Sequence, residues 1–298
     1  MTSPGKPSPF HLIPPLRNRQ VALLSKNHRL IDPTRKLCGG GFLRQPCPLD
    51  ASYINVPVEK KLMAAAMAFV RARAKVYCWG IENVPEEGVF ILANTHITQL
   101  DVLIPMGCMH NLGRYPRFMA KAEILRWPFI GKWLSALAMQ PVRRRSGEAK
   151  EIESNSIKSL LAGQPLSIWP EGTLTRDPDK WPMTFKLGMA EIALTASKKL
   201  GSPIPILVAV TWGAASIRNF CPFPRKNVVL AITPPIDYAD LLQGDWQEPP
   251  KEVALELNRR VHGVMEKVEG EIRGETPPAA GVWDYHTSSR HPLGEEEK

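Results

Sequence analysis

Apolar positions along this chain recur with two periods, and the two alternate. The run LMAAAMAFV, flanked by EKK and RARAK, predicts a helix from about Val58 to Val76. GVFILAN (88–94) is an unbroken apolar run and predicts a buried strand, followed by a short helix over DVLIPMGCMH (101–110), broken near Pro105. RFMAK (117–121) reads as a second strand. EILRWPFIGKWLSALAM (123–139) reads as a helix kinked at Pro128, and QPVRR (140–144) as a short strand. SGEAKEIESNSIKSLLA (146–162) has the spacing of an amphipathic helix. Then come strand PLSIW, helix TFKLGMAEIALTASKKL, strands PIPILVAVTW and NVVLAIT, and a charged helix from Glu252 to Arg273. Short apolar strands alternating with helices predict an α/β fold, a mostly parallel sheet flanked by helices. In such sheets ligands bind beyond the carboxyl ends of the strands, and both His96 and Glu171 directly follow predicted strands.

The two ends lack this periodicity. Residues 1–56 hold eight prolines and a GGG, and read as a basic arm, extended or disordered, outside the core. Residues 57–274 form the predicted domain, and residues 275–298 a polar C-terminal tail. No internal repeat is present.

Charge sharpens this division. The chain of 298 residues carries a net +9. Residues 1–55 contribute +6 from eight Lys/Arg against two acids, and residues 275–298 contribute −3 from two bases against five acids. A basic body suits a partner that bears phosphate: nucleic acid, anionic lipid or a small anion. Aromatics make up only 7% and are not interleaved with the bases, which argues against nucleic acid. The five cysteines, Cys38, Cys47, Cys78, Cys108 and Cys221, include no C-x-x-C pair, so neither a disulfide framework nor a zinc site is expected. The N-terminus lacks an apolar core of signal-peptide length. Nowhere do eighteen apolar residues run uninterrupted, so any membrane role is expected from the surface.

The chemistry concentrates at two strand ends. In NTHITQLD, His96 and Asp101 are five apart, a spacing of about 140° around a continuous helix. With His96 in the turn after the strand and Asp101 on the first helical turn, the two can meet. The carboxylate then stabilises the charged imidazole, and the other ring nitrogen accepts a proton. That pair is an orienting acid and a general base without a nucleophile of its own; alone, H-x4-D also fits a loop histidine and a capping aspartate. WPEGTLTR (169–176) supplies Glu171, Gly172, Thr173 and Arg176 after another strand. Gly172 permits close backbone approach and Arg176 offers a fork of donors to an anion. Taken alone, this too is an ordinary loop with a surface arginine. Lys121 ends a third strand and can point at the same rim.

Together these segments resemble the glycerolipid acyltransferases of the lysophosphatidic acid acyltransferase type. The blocks are ANTHITQLD, then AKAEILRWPFIGKWLSALAMQPVRR, then IWPEGTLTR, then SPIPILVAVTWG, and the resemblance covers roughly residues 57 to 235. Two positions depart from the family pattern: Thr95 separates Asn94 from His96, and Leu174 stands where the third-block arginine belongs, with Arg176 two further on. The resemblance implies a glycerol-3-phosphate acyltransferase-like fold and a phospholipid-biosynthesis enzyme, a transferase acting on a lysophospholipid acceptor, most simply 1-acylglycerol 3-phosphate. His96 is then the base, Asp101 its orienting acid, and acyl-CoA or acyl-carrier protein the co-substrate, with no cofactor and no metal. Glu171 binds the acceptor's hydroxyl or fixes its loop, a backbone N–H near Gly172 faces the developing oxyanion, and Lys121, Arg144 and Arg176 meet the acceptor phosphate. It also implies peripheral or monotopic placement at the cytoplasmic face of the cell membrane. Trp127, Phe129, Trp133 and Leu134 among Arg126 and Lys132 suit a lipid interface, and the LMAAAMAFV helix is a second candidate.

Other readings stay open. The same chemistry fits a glycolipid or another lysolipid, and the charge fits a nonenzymatic protein that binds anionic lipid. A metal hydrolase is poorly served by one His and one Asp without further spaced ligands.

Overall fold

The computed structural model describes residues 22–24, 30–31, 56–121, 140–142, 149–217 and 225–292. The strands are β1 (Ala22–Leu24), β2 (Leu30–Ile31), β3 (Ala74–Trp79), β4 (Ile91–Asn94), β5 (Arg117–Lys121), β6 (Gln140–Val142), β7 (Leu166–Ile168), β8 (Ile206–Trp212) and β9 (Lys226–Ile232). They form one sheet in the order β2-β1-β3-β9-β8-β4-β7-β5-β6. The block β8-β4-β7-β5-β6 is parallel throughout. β9 runs antiparallel to β8 and pairs in parallel with β3; β1 joins β3 antiparallel and β2 joins β1 antiparallel. The carboxyl ends of β4, β5, β7 and β8 therefore share one rim.

Alternation along each strand divides the core in two. Ile91 and Ala93 of β4, with Ile206, Val208 and Val210 of β8, face one cluster; Leu92, Leu207 and Ala209 face the other. A sheet buried on both faces leaves little place for polar residues, which is why β4 and β8 read as mostly apolar runs. Helices α3 (Ala149–Leu161), α4 (Gly188–Leu200) and α5 (Lys251–Arg273) cover the first face. Helices α1 (Val56–Arg73) and α2 (Leu103–Asn111) cover the second. Met63, Met67 and Val70 of α1 are buried, whereas Phe69 is exposed beneath the Arg73 guanidinium.

Four expectations need correction. The first helix stops at Arg73 and its predicted end, AKVYCW, is strand β3, with Ala74, Val76 and Cys78 buried in alternation. The basic residues of RARAK end a helix, but a β-branched and aromatic stretch follows at once, and burial on one face decides for strand. Pro105 does not break α2, because it sits in the first turn, where its missing N–H has no helical partner to lose. The TFK segment is not helical; α4 begins at Gly188. Within the expected polar tail a hairpin forms, β10 (Val282–Asp284) with β11 (Ser289–His291). The predicted interfacial segment 123–139 and Arg144 lie outside the described residues.

Candidate functional site

The rim of the sheet is built by cross-links between strand ends. Asn94, the last residue of β4, is buried, and its side-chain amide donates to the Leu92 carbonyl (2.9 Å), Ser167 Oγ (2.9 Å) and the Ile168 carbonyl (3.1 Å). It thereby ties β4 to β7. Thr95, the residue that departs from the family pattern, is buried too: its Oγ1 accepts the Thr211 amide at 2.9 Å, and its own amide donates to the Ala209 carbonyl at 3.1 Å. One residue locks β4 to β7 and the next locks it to β8, so the turn carrying His96 starts from a fixed base.

His96 follows, half-buried, with its ring 5.4 Å from that of Trp169 at a tilt of 43°. Asp101 is the third residue of the 3-10 turn Gln99–Val102. Its Oδ2 accepts the amides of Ile97 (2.7 Å) and Thr98, and its Oδ1 accepts Thr98 Oγ1 at 3.0 Å. This reciprocal capping box closes the segment between the histidine and the helix. Burial raises the Asp101 pKa to about 6 and outweighs the hydrogen bonds from Thr98 and Ile97 that lower it, which leaves the group mostly ionised at neutral pH.

The second loop meets the first directly. The Thr175 amide donates to the His96 carbonyl at 2.7 Å. Glu171 has 1% of its surface exposed, and its Oε2 accepts the Met183 amide at 3.2 Å. Burial pushes its pKa well above the ordinary carboxylate range, while backbone hydrogen bonds from Met183 and His96 pull it down. The carboxyl group is therefore turned into the fold, toward the backbone of both loops. Gly172 has φ +67, a left-handed conformation, and a Cβ there would meet Lys186 Cε at 2.9 Å. Its amide donates to the Trp169 carbonyl at 2.9 Å, so it is already engaged and does not face outward as an oxyanion donor. Thr173 is half-buried, and Thr175 Oγ1 donates to the Trp181 carbonyl at 3.1 Å. Arg176 is exposed, with its guanidinium 5.5 Å from the centre of the Tyr285 ring. Lys121 ends β5 on the same rim, two strands from β4.

Sequence reasoning missed three cations near these loops. Lys186 lies beside Gly172, and Lys180 and Arg273 border a cavity of about 380 Å³ that Asp101, Ile97, Trp212 and Ile272 also line. Arg273 stacks between Trp181 (4.1 Å) and Trp212 (4.5 Å) and pairs with Glu269 at 3.0 Å. Lys180 and Lys186 carried a local signal, as bases shortly after the WPEGTLTR loop; Arg273 reaches the site through tertiary packing. Among the described residues no three His, Cys, Asp or Glu side chains converge where a metal ion could sit.

Known proteins share parts of this chain. Residues 75–211 match a family model described as Acyltransferase. The chain is 28% identical over 203 residues to a 1-acyl-sn-glycerol-3-phosphate acyltransferase of Bacillus subtilis, covering 67% of this chain and 92% of that one. With the protein of the same description from Borreliella burgdorferi it shares 29% over 171 residues, 57% of this chain and 65% of that one. It thus spans about two thirds of the Borreliella protein's length. A lyso-ornithine lipid O-acyltransferase of Pseudomonas aeruginosa is 33% identical over 94 residues, 31% of this chain and 34% of that one. The crystal structure of the 1-acyl-sn-glycerophosphate (LPA) acyltransferase PlsC from Thermotoga maritima superposes with a TM-score of 0.49 at 20% identity, over 75% of this chain and 80% of that one.

Proposed function

We propose, from the match of residues 75–211 to the acyltransferase family model, that the chain is an O-acyltransferase of phospholipid biosynthesis. Its substrate in this reading is 1-acylglycerol 3-phosphate, its product phosphatidic acid, and its donor acyl-CoA or acyl-carrier protein. The observation that carries the reading is the direct bond between the two loops, Thr175 amide to His96 carbonyl, at the carboxyl rim of the sheet. The descriptions of the Bacillus and Borreliella relatives support the choice of acceptor.

In this mechanism a ring nitrogen of His96 takes the proton of the acceptor hydroxyl as its oxygen attacks the thioester carbonyl. The tetrahedral intermediate collapses, the carbon–sulfur bond breaks, and the imidazolium returns its proton to the departing thiolate. Asp101 favours the charged imidazole and holds the turn that presents it. Glu171 fixes the second loop, while Arg176 and the neighbouring Lys186 attract the acceptor phosphate. The thioester is a co-substrate, and the chemistry calls for no cofactor. Among the described residues no helix is long and apolar enough to cross a membrane, and the reading places the protein on the cytoplasmic membrane surface, where its substrates reside.

The test follows release of free thiol from acyl-CoA in the presence of lysophosphatidic acid. His96→Ala is expected to lower kcat by about 10²–10⁴-fold; unchanged turnover refutes the assignment of the base. The match to the lyso-ornithine lipid enzyme favours one further arm, the same assay with that acceptor. Anionic-lipid binding without any turnover, over a panel of lysolipids and a glycolipid acceptor, points instead to a nonenzymatic protein.

A further inference from the structure

The β10–β11 hairpin lies outside the residues matched by the acyltransferase model, yet it is fastened to the candidate site at several points. Arg290 forms ion pairs with Asp177 at 2.6 Å and Asp179 at 2.9 Å. The Asp177 side chain is fully buried and that of Arg290 only 12% exposed, so removing either partner strands a desolvated charge. The Asp177 amide donates to Thr175 Oγ1 at 3.3 Å, and the Thr175 amide donates to the His96 carbonyl. Three links thus run from Arg290 to the backbone of the histidine. A second path starts at the Trp283 carbonyl, which accepts the Thr184 amide at 3.1 Å. Met183 bridges to Trp283 and donates its amide to Glu171. Finally, Tyr285 places its ring under Arg176.

We propose that this hairpin clamps the loop spanning residues 169–184, with Arg290 as its positioning residue, and so sets affinity for the acceptor's phosphate. This rests on the reading that the loop receives the acceptor. A strand-to-helix loop of this length has many backbone conformations of similar energy. The hairpin selects one of them before the ligand arrives, and binding then costs less ordering. The acyl donor does not depend on that preorganisation, so its affinity is set independently of the clamp.

The experiment compares the full chain with Arg290→Ala and Arg290→Lys, varying lysophosphatidic acid and acyl-CoA separately, and follows amide hydrogen exchange over residues 171–184. Arg290→Ala is expected to raise the acceptor KM at least fivefold and leave the donor KM within twofold; Arg290→Lys returns the acceptor KM to within about threefold. Loss of folded protein lowers apparent kcat without moving one KM, so this split separates positioning from general damage. Exchange over 171–184 should quicken about tenfold in Arg290→Ala and stay unchanged in α4. An unchanged acceptor KM, or a donor KM that rises equally, overturns the role in acceptor affinity. Unchanged exchange overturns the clamp itself. If the wild type acylates no lysophosphatidic acid, the functional reading fails, and the exchange measurement still decides the clamp. Should Arg290→Ala not fold, Asp179→Asn removes only the exposed half of the pair, with an expected threefold rise in exchange whose absence counts equally against the proposal.

Discussion

At Asp101 a single carboxylate accepts three donors within four residues of chain. A carboxamide has one acceptor atom and would turn an NH₂ group toward the remaining donors, so Asp101→Asn loosens the turn that carries His96. In the proposed mechanism it also removes the negative charge that favours imidazolium. Both effects act on the chemical step, and kcat is expected to fall about tenfold or more while the donor KM stays within about threefold. Steady-state kinetics checks this, and a change confined to the donor KM counts against the assigned role. The same scale shows where local reading ran out. His96, Asp101 and the WPEGTLTR residues could be picked out because their types and order are distinctive. The function of Thr95 could not, since its hydroxyl meets the amide of a residue 116 positions away. Glu171 looked equally suited to a substrate or to the loop, and only its burial against both backbones distinguishes the two.

Among the elements, β3 shows how a short strand is decided. Its six residues follow α1 without a spacer, and the chain then leaves through Gly80, which has φ +74. A Cβ on Gly80 would lie 1.9 Å from the Ile232 carbonyl oxygen of β9, a backbone atom that cannot rotate away. Gly80→Ala should therefore force β3 and β9 apart at a cost of about 3 kcal/mol, lowering Tm by roughly 5–10 °C. Thermal unfolding measures it, and a shift under about 2 °C would mean the turn relaxes freely. The strands with long apolar runs, β4 and β8, were legible because burial on both faces leaves a signature within the segment itself. β3 was hidden by the helix that runs into it. β10 and β11 were hidden by their polar composition, for the hairpin is held by Arg290 and the backbone of residues 183–184 more than by an apolar core.

For the molecule as a whole, the acids buried between α5 and the second loop make stability depend on pH. Burial raises Glu269 to about 8 despite its ion pair with Arg273, with the Asp177 and Glu266 charges adding to the rise. A carboxyl whose folded pKa lies above its unfolded value contributes stability that is complete below the unfolded pKa. That contribution is lost as pH rises through the folded one. For Glu269 the window is the ordinary value of 4.5 up to about 8, and Glu171 shifts in the same direction. Tm is therefore expected to decline between about pH 5 and pH 8, and Glu269→Gln should flatten that decline. Calorimetry across this range provides the measurement; an equal slope in the variant would show that Glu269 ionises without cost.

The sequence by itself determined the class of fold, the burial of the sheet on both faces, and the rim to which His96 and Glu171 belong. Each of these follows from a periodicity or a residue order contained within one segment. Only the tertiary structure decided which loops touch, that Glu171 is turned inward, and that Arg290 reaches Asp177 across 113 residues of chain. Such pairings depend on how layers stack and on which buried charge is left to be met. A segment read alone holds no record of either, because the energy that selects them comes from desolvation in the assembled core.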